Sequence, residues 1–165
     1  MSKLIEIERK FLPSNGFSIS DIEKLSQQKY HISQGYISND PERTVRIRTK
    51  NDKGYITIKG LSNKNGATRF EWEKEISAIE ARGLLQLCQK GIIIKTRYET
   101  VFEGNIFEID VFENENKGLV IIEIELESEN QLFEKPVWLG AEVTSDFRYF
   151  NAYLSQNPFL EWQKV

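Results

Sequence analysis

The 165-residue sequence has very few of the residues that form disulfides or zinc sites, namely one cysteine (Cys88) and one histidine (His31). Disulfide frameworks and zinc sites with several cysteine or histidine ligands are therefore excluded within the chain. No apolar run approaches the roughly 20 residues of a membrane-spanning helix. The first residues, MSKLIEIERK, also lack the apolar core of a signal peptide. We therefore expect a cytoplasmic protein without a membrane partner.

The sequence also has no large excess of either charge, since it contains 22 lysines and arginines and 25 aspartates and glutamates, for a net charge of −3. This balance argues against a basic nucleic-acid binder. An aromatic content of 12% argues against disorder. Because no Pro/Gly/Ser-rich linker divides the chain, we expect one domain over residues 1–165.

Alternating polar and apolar residues, the pattern of half-buried strands, dominate the sequence. Turn residues separate the alternating segments at 51–54, 103–105 and 114–118. Eight strands are predicted in this way, over 4–11, 30–38, 44–50, 54–60, 68–76, 92–102, 106–112 and 119–127.

Helical patterns are fewer than strand patterns. Ser77 and Glu80 match a capping box before an apolar stripe that ends near Gly91. A short helix is predicted over 18–28, and a third helical stripe over 147–154. The fold class is therefore mainly antiparallel β (α+β), with a few helices covering the sheet.

Charges of one sign occupy whole strand faces, because residues two apart in a strand share a face. Arg46 and Arg48 lie on one such face, and Glu123 and Glu125 on another. A solvated sheet face is the ordinary explanation for a single strand, but like charges in neighbouring positions need compensation. Eight antiparallel strands are enough to close a barrel, and its interior would then hold clustered carboxylates opposite clustered cations.

Such an interior indicates two kinds of ligand. Carboxylates without histidine or cysteine favour Mg²⁺, Mn²⁺ or Ca²⁺ over zinc. Arginine and lysine clusters favour a polyanion, because the guanidinium fork matches phosphate oxygens. A divalent metal together with a polyphosphate satisfies both.

The sequence resembles the CYTH domain family, also called the triphosphate tunnel metalloenzymes. The signature ExExK is present as EIERK at 6–10. The ordered motifs QGY (34–36), VRIR (45–48), TIK (57–59), EWE (71–73), KTR (95–97), EIDVF (108–112), EIELE (123–127) and EVTSDFRYFN (142–151) follow it. The resemblance covers essentially the whole chain. It implies a closed eight-stranded β-barrel tunnel with helices outside and one or two Mg²⁺ or Mn²⁺ ions.

The resemblance also implies roles for individual residues. Metal ligands would be Glu6, Glu8, Asp110, Glu123 and Glu125, and a second metal or a water would lie near Glu71, Glu73 and Glu108. Phosphate oxygens would be held by Lys10, Arg46, Arg48, Lys59, Lys95, Arg97 and Arg148. The catalytic positions would be Tyr36, Lys10 and Arg97, with a hydrogen-bonding role as the alternative for Tyr36.

The expected function is metal-dependent hydrolysis of a triphosphate. Short bacterial family members resemble this chain most and are inorganic triphosphatases, which indicates cleavage of tripolyphosphate to pyrophosphate and phosphate. The alternatives are a class IV-type adenylate cyclase, a nucleoside or thiamine triphosphatase, and a polyphosphate-binding module without turnover. The expected partner is a small triphosphate rather than nucleic acid, and the aromatic content leaves room for a homodimer.

Overall fold

Eight antiparallel strands close into a barrel in the computed structural model, which describes residues 4–164. Hydrogen bonding follows the order β5-β4-β3-β2-β6-β7-β8-β1, and β1 pairs with β5 to close the ring. The strands are β1 (Ile5–Pro13), β2 (Gln28–Ser38), β3 (Arg43–Lys50), β4 (Lys53–Gly60), β5 (Thr68–Ser77), β6 (Ile93–Phe102), β7 (Asn105–Phe112) and β8 (Val120–Glu125). The predicted fold class is confirmed.

A ninth strand, β9 (Leu139–Glu142), pairs with the end of β1 on the edge away from β8, with Phe11 opposite Glu142. The strand β9 was not predicted, because its sequence LGAE has no alternation of polar and apolar residues. Its position depends on partners 126 and 131 residues away, Pro13 for Leu139 and Phe11 for Glu142, which local sequence does not specify.

Helices cover the outside of the barrel and one of its ends. They are α1 (Ile19–Leu25), α2 (Ala78–Leu85) and α3 (Asn151–Leu154), with 3₁₀ turns at Asn114–Asn116, Phe147–Tyr149 and Phe159–Lys164. The capping box of α2 is confirmed, because Ser77 Oγ accepts from the Glu80 amide and the Glu80 carboxylate accepts from the Ser77 amide. None of the helices in residues 4–164 is long and apolar enough to cross a membrane.

Two helix predictions were wrong in extent. The first helix ends at Leu25 rather than 28, because Gln28 already pairs with Glu99 in the sheet. The third predicted stripe breaks at Phe150, whose backbone is extended (φ −75°, ψ 135°) and separates a 3₁₀ turn from α3. As a result Leu154 is buried while Phe147 is 60% exposed.

Apolar residues form two clusters, one outside the barrel and one inside it. The outer cluster packs Ile22 of α1 and Trp138 against the outward side chains of β1, β6, β7 and β8. In the inner cluster, Leu154 of α3 packs with Ile93 and Phe112, which share the inward strand faces of Lys95 and Asp110. The C-terminal segment therefore closes one end of the barrel with apolar side chains.

Candidate active site

The interior of the barrel is a cavity of about 630 Å³. All of the predicted site residues except Asp110 and Arg148 line it: Glu6, Glu8, Lys10, Tyr36, Arg46, Arg48, Lys59, Glu71, Glu73, Lys95, Arg97, Glu108, Glu123 and Glu125. The charged strand faces therefore point into the barrel, as predicted. Strand parity explains it, because each of these side chains alternates with an apolar one that packs outward.

Lys10 forms ion pairs with carboxylates on two neighbouring strands, β1 and β8. Its Nζ donates to Oε1 of Glu123 at 2.5 Å and also to Glu8. Burial alone would lower the pKa of Lys10, but the carboxylates of Glu123 and Glu8 raise it above its ordinary value. Against its own burial, the pKa of Glu123 is held well below the ordinary range by Lys10, Arg97 and Lys95. Both groups are therefore charged at neutral pH.

A second ion-pair cluster surrounds Glu6 on β1. The ammonium of Lys59 lies 2.8 Å from Glu6 Oε2 and 2.6 Å from Glu71 Oε2. Arg69 Nε donates to Glu6 Oε2 at 2.9 Å. Burial opposes ionisation of Glu6, yet the charges of Lys59 and Arg69 lower its pKa. The two cations hold Glu6 as a carboxylate facing the cavity.

The wall formed by β3 has unsatisfied donors. Arg46 and Arg48 each place Nη2 3.2 Å from Glu73 Oε2. The Nε atoms of both arginines are buried and have no hydrogen-bond partner. Burial and the neighbouring Arg46 lower the pKa of Arg48 to about 10. Buried donors without acceptors are energetically costly, so this wall favours an anionic ligand.

Asp110 lies behind the lining and is 0% exposed. Arg97 donates to its two oxygens through Nε and Nη2, each at 2.7 Å, and Lys95 Nζ donates to Oδ2 at 2.5 Å. Arg97 also bonds Glu108, and its Nη2 lies 3.1 Å from Glu123 Oε2. The structure thus gives Asp110 two cationic partners and places it one layer away from the cavity.

Lys95 is held from two sides. Besides Asp110, its ammonium donates to Asn151 Oδ1 of α3 at 3.3 Å. Burial lowers the pKa of Lys95 to about 8, and the charge of Arg97 acts in the same direction against the opposing effect of Asp110. The contact with Asn151 connects the C-terminal segment to the charged lining.

Tyr36 is buried in the lining, and its hydroxyl oxygen accepts from Gln34 Nε2 at 3.3 Å. Burial raises the pKa of Tyr36 despite the nearby charges of Arg46, Arg69 and Lys10. A raised pKa favours the hydrogen-bonding role over the role of proton acceptor at neutral pH.

Arg148 lies apart from the other predicted residues. Its side chain is 53% exposed and bonds Asp146, with Nη2 2.6 Å from Oδ2. Asp146 also accepts from the Arg148 amide at the start of the 3₁₀ turn. The structure therefore does not bring Arg148 together with the tunnel cations.

Sequence reasoning missed several lining residues. Arg69 and Lys50 line the cavity, and strand parity could have found them, because Arg69 shares the face of Glu71 and Lys50 that of Arg48. Phe147 and Tyr153 of the C-terminal segment also line it and pack edge to face, with ring centroids 5.1 Å apart. No strand pattern could have predicted these aromatic residues, because Phe147 lies in a 3₁₀ turn and Tyr153 in α3.

The donor chemistry of the lining fits a hard divalent cation, since oxygen atoms of glutamates are the available ligands. Glu8 and Glu125 are cross-strand partners, as are Glu108 and Glu123. Within residues 4–164, however, no three acidic, histidine or cysteine side chains converge as a ready ligand set. The carboxylates suit Mg²⁺ or Mn²⁺, but lysine and arginine side chains are their partners in this structure.

A closed antiparallel barrel with inward carboxylates on β1 and β8 and inward cations on β3, β4 and β6 defines a class of protein, the charged tunnels for polyanions. The chain belongs to the CYTH family, since the model of the CYTH domain matches residues 4–152.

Named relatives and a solved structure agree with that family. An inorganic triphosphatase of Acetivibrio thermocellus is 46% identical over 96% of this chain and 98% of its own length. An inorganic triphosphatase of Nitrosomonas europaea is 31% identical over 92% of this chain and 97% of its own length. A solved inorganic triphosphatase matches 91% of this chain and 97% of its own with a TM-score of 0.62 and 31% identity.

Proposed function

We propose that this protein hydrolyses inorganic tripolyphosphate to pyrophosphate and phosphate inside the barrel. The observation that carries the proposal is a lining with charges of both signs, in which the buried Nε donors of Arg46 and Arg48 are unsatisfied opposite a wall of glutamates. A compact polyanion with bound cations matches both walls at once. The names of two relatives similar over nearly the whole chain support tripolyphosphate as the substrate.

In the proposed mechanism, water attacks a terminal phosphorus and its bond to the bridging oxygen breaks, which releases pyrophosphate. Arg46, Arg48 and Lys59 bind non-bridging oxygens and neutralise the charge that moves to the leaving group. Arg97 on β6 and Lys10 on β1 do the same from other strands of the barrel. Because Arg97 is fixed by both oxygens of Asp110 before the substrate arrives, little reorganisation of this side chain accompanies the reaction.

A divalent metal, Mg²⁺ or Mn²⁺ with one or two ions per tunnel, belongs to this proposal. Glu6, Glu8, Glu123 and Glu125 would hold it. When bound, it supplies charge neutralisation at the phosphate oxygens and lowers the pKa of bound water. Glu71, Glu73 and Glu108 would orient water or hold a second ion. In our assignment Asp110 acts through Arg97 and Lys95, because both of its oxygens already bind them.

The proposal is tested by phosphate release from tripolyphosphate with Mg²⁺, Mn²⁺ or a chelator. We expect Glu6→Gln to lower kcat at least about a hundredfold, because it removes one of the carboxylates that would hold the metal and with it the metal's stabilisation of transition-state charge. The matched control is Glu42→Gln, a glutamate whose side chain is 68% exposed outside the lining. Activity of Glu6→Gln near that of Glu42→Gln would contradict the assignment of Glu6.

Parallel assays with other substrates and readouts distinguish the other activities predicted from the sequence. Cyclic AMP from ATP would indicate a cyclase. Faster turnover of nucleoside or thiamine triphosphate than of tripolyphosphate would shift the substrate class. Tight binding of tripolyphosphate without product would indicate a binding module. We also propose, on sequence grounds alone, one domain over residues 1–165, a cytoplasmic location and a homodimer.

A further inference from the structure

The ammonium of Lys10 lies between two carboxylates to which the proposed function gives a metal. Lys10 is 5% exposed, and its Nζ donates to both Glu8 and Glu123. Backbone register explains the arrangement, because Lys10 and Glu123 are directly opposed in the β1–β8 pair and Glu8 is two residues away on the same face of β1. The lysine is therefore placed by the sheet itself and bridges the two strands.

The neighbouring lysines differ from Lys10 in what they contact. Lys59 binds Glu6 and Glu71, so it touches one of the four proposed metal ligands. Lys95 donates hydrogen bonds to Asp110 and Asn151, and neither of these residues is one of the four proposed metal ligands. Lys10 contacts two proposed ligands at once. It thus occupies the space between carboxylates where a divalent cation would bind.

We infer that Lys10 is a tethered counter-ion that fills the metal position between Glu8 and Glu123 and keeps metal affinity low until a polyanion draws its ammonium away. This inference rests on the proposed assignment of Glu8 and Glu123 as metal ligands. It also accounts for the absence, within residues 4–164, of three acidic side chains converged as a ready ligand set.

The physical basis is the behaviour of buried charges. A metal that enters between Glu8 and Glu123 must displace the ammonium of Lys10, and an unpaired buried ammonium is strongly unfavourable. A phosphate chain supplies a new anionic partner for that ammonium within the same cavity. Metal entry and polyanion entry therefore favour each other, and the coupling is reciprocal because it is a free energy of binding.

The experiment measures Mn²⁺ binding by calorimetry with no phosphate present. We expect Lys10→Met to raise Mn²⁺ affinity at least about tenfold, since the competing ammonium is removed from both carboxylates, while Arg97 Nη2 stays as a partner of Glu123. Lys10→Arg keeps the positive charge and should bind Mn²⁺ as weakly as the wild type does.

Lys50→Met is the matched control for net charge. Lys50 lines the same cavity, but its Nζ pairs with Glu99 at 3.4 Å rather than with a proposed metal ligand. This variant removes one positive charge from the tunnel without releasing Glu8 or Glu123. We expect its Mn²⁺ affinity to rise less than about threefold, the modest effect of a partly exposed charge.

Two outcomes would overturn the inference: equal Mn²⁺ affinity in Lys10→Met and the wild type, or equal gains in Lys10→Met and Lys50→Met. Circular dichroism checks that each variant is folded, and Lys10→Gln provides a second neutral variant should Lys10→Met not fold. Because the readout is metal binding, it is independent of turnover. If the wild type released no phosphate from tripolyphosphate, the proposed function would be refuted. The Mn²⁺ binding results, by contrast, decide the role of Lys10.

Discussion

Single ion pairs in this protein differ mainly in how far their side chains are buried away from water. Asp110 and Asp146 both bind an arginine, Arg97 in one case and Arg148 in the other. The first pair is buried, while Arg148 in the second is 53% exposed. Although both sites hold an aspartate–arginine pair, the two pairs contribute differently to the free energy of unfolding, because solvent screens the exposed pair.

Replacement of Asp110 tests this difference directly. Asp110→Asn leaves the buried charges of Arg97 and Lys95 without their carboxylate, so we expect the free energy of unfolding to fall by about 3–5 kcal/mol. Asp146→Asn is the control and should lower it by about 1 kcal/mol or less. Urea denaturation of both variants measures the values. Similar losses in the two variants would show that burial does not govern these pairs.

Replacement of Tyr36 separates its two possible roles. Because burial raises the pKa of its hydroxyl, we expect Tyr36→Phe to lower kcat by less than about tenfold, below the range of a lost general base. The pH dependence of kcat should keep its shape. A larger loss together with the disappearance of one limb of the pH profile would identify Tyr36 as the proton acceptor.

At the scale of elements, the C-terminal segment and the α2–β6 connection close one end of the barrel together. Gly91, in that connection, has φ +96°, and a Cβ built on it would lie 1.6 Å from the carbonyl oxygen of Ser155. This glycine therefore serves both a left-handed backbone conformation and a close approach of two segments.

Two glycine replacements distinguish these contributions. Gly104 also has positive φ (+75°) but nothing within 4 Å of its Cβ position, so Gly104→Ala should destabilise by about 1–2 kcal/mol. Gly91→Ala adds the clash with Ser155 and should destabilise by more than about 3 kcal/mol. Chemical denaturation of both proteins gives the comparison. Equal losses would mean that the segment moves away from Gly91 at no cost.

At the scale of the whole molecule, a net charge of −3 hides a segregated interior. The cations of β3 and β4 face cavity space shared with the carboxylates of β1 and β8. An acidic protein can therefore contain a strongly basic wall, because what matters for binding an anion is the local arrangement of charge rather than its sum.

Ligand-linked stability tests this arrangement. Tripolyphosphate at a hundredfold excess over its Kd should stabilise the wild type by about 2.7 kcal/mol. If Arg48→Met raises Kd tenfold, the same concentration stabilises that variant by only about 1.4 kcal/mol. Arg43→Met is the control, because Arg43 is 70% exposed and pairs with Asp40 outside the lining. Calorimetric melting curves with and without tripolyphosphate measure the shifts, and identical shifts in Arg48→Met and Arg43→Met would contradict the basic wall.

Most of the barrel and its lining could be predicted because a strand has a period of two. In β1, for example, Glu6, Glu8 and Lys10 share one face by geometry alone, whatever the rest of the chain does. The same rule applied strictly would have included Arg69 and Lys50. It could not have found β9 or Phe147, because irregular backbone and pairings between distant segments have no local pattern.

The sequence by itself determined the eight strands of the barrel, their two faces and the oxygen-only chemistry of its carboxylates. Only the tertiary structure decided which charges pair with one another. It placed Asp110 behind Arg97 rather than in the cavity, Arg148 outside the lining, and Lys10 between Glu8 and Glu123. The physical reason is that ion pairing depends on burial and on register between strands far apart in sequence, and neither is set until the barrel closes.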